Sequence, residues 1–186
     1  MTLQSNHLGH FLLTNLLLDR LREAPNARIV NVSSLAHAEK YTKNIDFKDL
    51  DMKTKKFNGG DAYCNSKLLN ILFTKELSRR LADTNITTYA LHPGVIETEI
   101  WRNFLPGNKL LLTLFKTLTW PLVKLFMKNS WQGAQTTIYC AVDESLNGIS
   151  GQYYSDCNEA KLLNPLAEDE NVAKGLWEIS SQMVQL

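Results

Sequence analysis

Tyr63 and Lys67 stand four residues apart, the spacing that puts two side chains on one face of a helix. A free phenol titrates near ~10, too high to exchange protons at neutral pH. An ammonium one turn away favours the phenolate and lowers that value. The pair could then give a proton to a carbonyl oxygen or take one from an alcohol. Taken alone, the same spacing also describes an ordinary surface pair. Two further groups flank it. Upstream, Ile29-Val30-Asn31-Val32 runs into two hydroxyls, Ser33 and Ser34. Downstream, Ile86 to Leu91 runs into His92-Pro93-Gly94-Val95-Ile96-Glu97-Thr98. A serine at the end of a strand can donate to a substrate oxygen, or it can cap the strand and satisfy loop backbone. Gly94 lets the backbone come close to a ligand, and Thr98 offers a hydroxyl, unless the segment is only a turn.

These residues need a scaffold, and the apolar pattern predicts one. Leu8, Leu12, Leu13, Leu16, Leu17 and Leu21 recur at intervals of three and four, which predicts a helix over 3 to 22. The β-branched run 27 to 32 predicts a buried strand. Residues 35 to 60, polar and lysine-rich, predict a loop with one short helical turn. Leu69, Phe73, Leu77 and Leu81 mark one face of a helix from 61 to 81, and a second strand follows over 86 to 91. An amphipathic segment covers 108 to 127, with Pro121 interrupting it, and a helix covers 130 to 143. A third strand is expected at 151 to 155. A last helix is expected at 168 to 184, where Glu168, Asp169 and Glu170 complement the dipole of its first turn. Strands alternating with long helices predict an α/β domain with a parallel sheet, in which ligands sit at the carboxyl ends of the strands.

Order and placement together carry a resemblance. A strand ending in Ser-Ser, then Tyr-Cys-Asn-Ser-Lys opening a helix, then a strand ending in Pro-Gly-x-x-x-Thr resembles the short-chain dehydrogenase/reductase family. Asn6-His7-Leu8-Gly9 resembles its Asn-x-x-Gly segment. The finer likeness is to the retinol dehydrogenase branch, through Asn-His-Leu-Gly-His-Phe, Val-Asn-Val-Ser-Ser, Ala-Tyr-Cys-Asn-Ser-Lys-Leu, His-Pro-Gly-Val and Pro165-Leu-Ala-Glu-Asp169. The loop 35 to 60 matches an insertion that this branch also carries.

The resemblance implies a doubly wound, Rossmann-like α/β sheet and an NAD(P)-dependent oxidoreductase. It would transfer hydride between the cofactor and an alcohol/carbonyl pair, on an apolar substrate such as retinol or retinaldehyde. It implies that Ser34, chosen over Ser33 by register with the family's strand, polarises the substrate oxygen and that Tyr63 is the general acid/base. Lys67 would bind the nicotinamide ribose and lower the Tyr63 pKa. Asn6 would shape its helix so that a water links Lys67 to solvent. Pro93, Gly94, the Ile96 backbone and Thr98 would hold the nicotinamide end. NADP is the commoner cofactor of the branch, with NAD as the alternative.

The family opens with a strand, a glycine-rich turn and a helix whose amino terminus holds the pyrophosphate. No such turn occurs among these residues, whose nine glycines are scattered. The expectation is therefore that residues 1 to 186 are the carboxy-terminal, catalytic part of one domain, with the nucleotide-binding half missing. A second expectation, from a different class, is a catalytically silent interaction module that associates with full-length subunits. Helices 3 to 22 and 61 to 82 resemble the family's dimer bundle and suggest a homodimer.

Composition narrows the classes further. Hydrophobic residues make up 44% and charged ones 21%, as in an ordinary globular domain. With 20 basic and 19 acidic side chains the formal charge is +1, which gives no electrostatic reason to expect nucleic acid. Cys64, Cys140 and Cys157 have no metal-ligand spacing and suit a reducing compartment. Met1 runs straight into the helical pattern, so no signal peptide is expected. Lys116, Pro121 and Lys124 break the longest apolar stretch below the ~20 residues of a spanning helix. That stretch could instead form a lid that rests on a membrane surface. Location is left open between the cytoplasm and a membrane surface.

Overall fold

The computed structural model describes residues 1–52, 54, 58–96 and 127–186. Strand β1 (Ala27–Val32) pairs in parallel with β2 (Ile86–His92), and β2 pairs in parallel with β3 (Gln152–Ser155). The order β1-β2-β3-β4 ends in a two-residue antiparallel strand, β4 (Asn158–Glu159). Among the described residues β1 therefore has a hydrogen-bonded neighbour on one side only.

Side chains alternate along each strand, and this sheet buries both faces. Ala27, Ile29, Ile86, Ala90 and Tyr153 turn toward helix α2 (Gly59–Arg80). Val30, Tyr89, Leu91 and Tyr154 turn the other way and pack with Cys140 of helix α3 (Ser130–Val142). Helices α1 (Gly9–Glu23) and α4 (Glu170–Val184) join α2 in its layer, so the domain has helices on both sides of a mainly parallel sheet. Leu68, Leu69, Leu72 and Leu77 of α2 are 0% exposed, each stabilising the fold by roughly 1.5–3 kcal/mol. Phe11, Phe73 and Trp177 interlock α1, α2 and α4, with ring centroids 4.9 to 5.9 Å apart.

Local chemistry sets the helix ends. The Asn58 side chain accepts from Gly60 N at 2.9 Å at the start of α2. Asn129 and Gln132 form a reciprocal capping box at the start of α3. Asp169 accepts from the backbone of Asn171 and Val172 ahead of α4. That cap explains why the last helix begins at Glu170, after a separate turn over Pro165–Glu168, and not at 168. The first helix also departs from the expected single run. Gln4–Leu8 is a π-helical turn, and regular α-helix begins at Gly9. β4 was not expected; at two residues it is too short to leave a periodic signal. The expected amphipathic segment at 108 to 127 falls almost wholly outside the described residues. Among the described residues, no helix is long and apolar enough to cross a membrane.

Candidate active site

A cavity of about 490 Å3 opens at the carboxyl ends of β1 and β2. Ser34, Tyr63, Lys67, Pro93, Gly94 and Ile96 all line it, with Leu35, Tyr41 and Val95 adding an apolar wall. Six of the eight residues singled out in the sequence thus meet at one place. Asn6 lies outside the lining and Thr98 outside the described residues.

The two serines part company. Ser33 is 2% exposed, and its hydroxyl donates to the Lys67 carbonyl at 2.6 Å. Ser34, next along, is half-buried; its Oγ accepts from Ala36 N at 3.2 Å and is hydrogen-bonded to the Tyr63 phenol. Because the oxygen already accepts from Ala36, its own proton can be directed outward.

Lys67 Nζ lies 5.5 Å from the centroid of the Tyr63 ring and donates to the Val32 carbonyl at 3.1 Å. The carboxyl end of β1 thereby holds the ammonium beside the phenol. The electrostatics differ from what the pair alone suggests. Burial raises the Tyr63 pKa above its ordinary value, the bond to Ser34 draws it back in part, and Cys64 adds to the rise. Burial lowers the Lys67 pKa. Loss of solvation by the charged form therefore dominates both shifts, and the Ser34 bond, not the lysine, is what draws the phenol back.

Asn6 sits within the π-helical turn. Its Nδ2 donates to Ser66 Oγ at 3.1 Å, and Ser66 donates to the Tyr63 carbonyl at 2.7 Å. It reaches the site through the backbone of α2, not by direct contact with the lysine ammonium. A π-turn widens the helix locally, a feature often found at functional sites.

Gly94 has φ +96°, and a Cβ placed there would stand 2.5 Å from Lys128 Cδ. The close approach that demands glycine is thus made by a lysine side chain, where the sequence suggested a ligand. Lys128 is tied down by an ion pair with Asp156 and by donating its backbone N–H to Val95 O at 2.8 Å. Ile96 is placed by Gly133 of α3, where any Cβ would collide with the isoleucine side chain.

Sequence reasoning missed His37 and His92. His92 lines the cavity at the end of β2, where burial takes its pKa down to about 4. His37 is 0% exposed and lies directly behind Ser34. A histidine in an otherwise apolar Leu-Ala-His-Ala run was the one available signal. His7 is a packing residue: its Nε2 is 2.9 Å from Ser180 Oγ, and its ring lies against Phe11 and Phe73.

The sheet and a site at its carboxyl edge define a Rossmann-like α/β domain, and proteins similar to the chain agree. Retinol dehydrogenase 12 of Bos taurus is 44% identical over 179 residues, covering 96% of this chain and 52% of that protein. Human retinol dehydrogenase 13 is 47% identical over 182 residues, covering 97% of this chain and 53% of that one. A crystal structure of an uncharacterized protein from Mycobacterium paratuberculosis superposes with a TM-score of 0.68 at 29% identity, over 97% of this chain and 57% of the other. No family model matches the chain. The chain spans about half the length of the curated relatives it matches. Over nearly its whole length the chain is similar to retinol dehydrogenases.

The residues present suit the nicotinamide end of a dinucleotide. Lys67 brings three donors, of which one goes to the Val32 carbonyl, and Pro93, Gly94 and Ile96 offer backbone along the same wall. No glycine-rich turn follows a strand among the described residues to hold a pyrophosphate.

Proposed function

We propose that this chain carries the proton-transfer and nicotinamide-binding machinery of an NADP- or NAD-dependent oxidoreductase acting on an apolar alcohol/carbonyl pair such as retinol and retinaldehyde. The observation that carries the reading is the convergence of Ser34, Tyr63 and Lys67 on one cavity at the carboxyl edge of a parallel sheet. The cofactor, when bound, supplies or accepts the hydride. In the direction of reduction the Tyr63 phenol gives its proton to the substrate oxygen, which Ser34 holds by a hydrogen bond. Lys67 stabilises the resulting phenolate and would hold the ribose of the cofactor. Asn6, through Ser66, sets the turn that carries Tyr63 and Lys67. Thr98 would be a further residue that holds the nicotinamide. The wall of Leu35, Tyr41 and Val95 supports an apolar substrate.

The experiment joins the chain to the nucleotide-binding half of human retinol dehydrogenase 13 and compares it with its Tyr63→Phe variant. Retinaldehyde reduction is expected to vanish in the variant while NADPH still binds. Substantial turnover by Tyr63→Phe at neutral pH would place the acid elsewhere.

A second reading has an observation of its own. α1 leaves Leu13, Leu16 and Leu17 44 to 65% exposed, and β1 lies at the sheet edge. Surfaces of this kind suit an interaction module that pairs with a full-length subunit. α2 is mostly buried against its own sheet and α4, so in that reading α1 supplies more of the contact than α2.

A further inference from the structure

We propose that His37 is a positioning residue that holds Ser34 in its working orientation, clamped from behind by Leu163 and Asn164; this rests on the oxidoreductase reading above.

The argument begins with donors and acceptors. Leu163 donates its backbone N–H to His37 Nε2 at 3.0 Å. That nitrogen must then present a lone pair, so the ring proton sits on Nδ1. Nδ1 in turn lies 2.6 Å from the Ser34 carbonyl, to which it donates. The same carbonyl accepts from His37 N at 3.2 Å, filling its second lone pair. Ser34 is thus held at both ends, its carbonyl by His37 and its Oγ by Ala36 N. The hydroxyl is left facing Tyr63.

The clamp behind the ring is also saturated. Asn164, 1% exposed, donates from Nδ2 to the His37 carbonyl at 3.0 Å and to the Thr42 carbonyl at 2.8 Å. Its Oδ1 accepts from Leu166 N at 3.0 Å, and Glu39 N donates to the Leu163 carbonyl at 2.9 Å. The imidazole packs edge-on against Tyr153 with ring centroids 5.0 Å apart. Residues 37 to 42, which follow the site serine, are therefore fixed by a segment more than a hundred residues later in the chain. A buried imidazole with both nitrogens committed is poorly replaced by an apolar ring, because the Leu163 amide and the Ser34 carbonyl would each lose a partner.

The test uses the 186-residue chain, wild type and as His37→Phe, His37→Asn and Asn164→Asp. Imidazole 13C and 15N shifts report the tautomer directly. Amide exchange at Ala36 reports the order of the serine turn, and the ultraviolet titration of Tyr63, taken against Tyr63→Phe, reports the Ser34 bond. We expect the Nδ1–H tautomer at His37 in the wild type. In His37→Phe, Ala36 should exchange about tenfold faster, the worth of one lost hydrogen bond, and the Tyr63 midpoint should rise. His37→Asn, which keeps a donor toward the Ser34 carbonyl, should return the midpoint toward the wild-type value. A fold-preserving loss of stability alone would move none of these locally. Should His37→Phe fail to fold, Asn164→Asp, which removes both hydrogen bonds donated to the His37 and Thr42 carbonyls, carries the same exchange readout. The Nε2–H tautomer in the wild type, or unchanged Ala36 exchange and Tyr63 midpoint in the folded variants, overturns the assignment. Failure of the wild-type fusion to reduce any carbonyl would instead sink the oxidoreductase reading and leave the tautomer and exchange results standing.

Discussion

Ser33 donates its hydroxyl to the Lys67 carbonyl at 2.6 Å, tying the carboxyl end of β1 to the helix that carries the tyrosine and lysine. Its neighbour Ser34 bonds instead to the Tyr63 phenol. The adjacent hydroxyls thus have separable roles, one in docking α2 and one in the site. Ser33→Ala is expected to lower stability by about 1 kcal/mol and to leave the Tyr63 titration unmoved. Ser34→Ala is expected to raise the Tyr63 midpoint, since the bond that favours its ionised form is gone, with a smaller change in stability. Urea denaturation and ultraviolet titration of the two variants separate the outcomes. A shift in Tyr63 on Ser33→Ala would undo the distinction.

Acid should loosen the packing around His7. Burial lowers its pKa from 6.5 to about 4, with Asn70 offsetting part of the drop and His10 adding to it. A depressed folded-state value means the stabilisation is complete above pH 6.5 and is lost as pH falls toward and through about 4. The loss for this one group is on the order of 3 kcal/mol. His92 is displaced to a similar value and adds to the same slope. His7→Phe, which can still pack against Phe11 and Phe73, should be less stable than wild type at pH 7, where Ser180 lacks its partner. It should keep a reduced acid-induced loss, the remainder belonging to His92 and His37, whose pKa values burial also lowers. Urea midpoints at pH 7 and pH 4.5 measure both effects.

Much of this was legible in the sequence, for physical reasons that can be named. Strand 86–92 is almost wholly buried and strand 27–32 largely half-buried, so both appear as short runs rich in β-branched and apolar residues. Leu69, Phe73, Leu77 and Leu81 announced α2 because one face of it is wholly buried. Ser34, Tyr63, Lys67, Pro93, Gly94 and Ile96 converge because strand ends and helix starts meet at one edge of such a sheet. The direction of the Tyr63 shift was not legible, since burial depends on the whole fold while spacing reports only one neighbour. The His37–Leu163 bond spans 126 positions and leaves no periodic trace. Nor does the π-turn around Asn6, whose apolar spacing differs little from that of the α-helix it opens.

Gly94 offers a sharp test of why the turn after β2 is glycine. Gly94→Ala would impose a side chain at φ +96° and drive its Cβ against Lys128 Cδ. We expect a loss of about 1–3 kcal/mol, the range for a strained backbone position. Shortening the lysine in Gly94→Ala/Lys128→Ala should recover only the collision, leaving the backbone strain. Full recovery in the double variant would show that the lysine contact alone requires glycine. Thermal unfolding of the three chains decides this.

The last prediction concerns cofactor affinity in the 186-residue chain itself. In the proposed function Lys67, Pro93, Gly94 and Ile96, which line the cavity, hold the nicotinamide end, and the sequence holds no glycine-rich turn after a strand for a pyrophosphate. A dinucleotide bound at micromolar strength has about −8 kcal/mol of affinity, and millimolar binding only about −4. Without the pyrophosphate and adenosine contacts the lower figure is expected. A ligand stabilises a fold only as far as its concentration exceeds its dissociation constant, so NADPH at 0.1 times that constant, roughly ~0.1 mM, should hardly shift the thermal transition. The edge of β1 that has no strand beside it among the described residues, with Val32 42% exposed, should at the same time make the chain self-associate as its concentration rises. Fusion to the part of a relative that the chain does not match should reverse both properties, giving a clear NADPH-dependent shift and a defined oligomer. A monomeric 186-residue chain that binds NADPH at micromolar concentration would show that these 186 residues suffice for the whole cofactor.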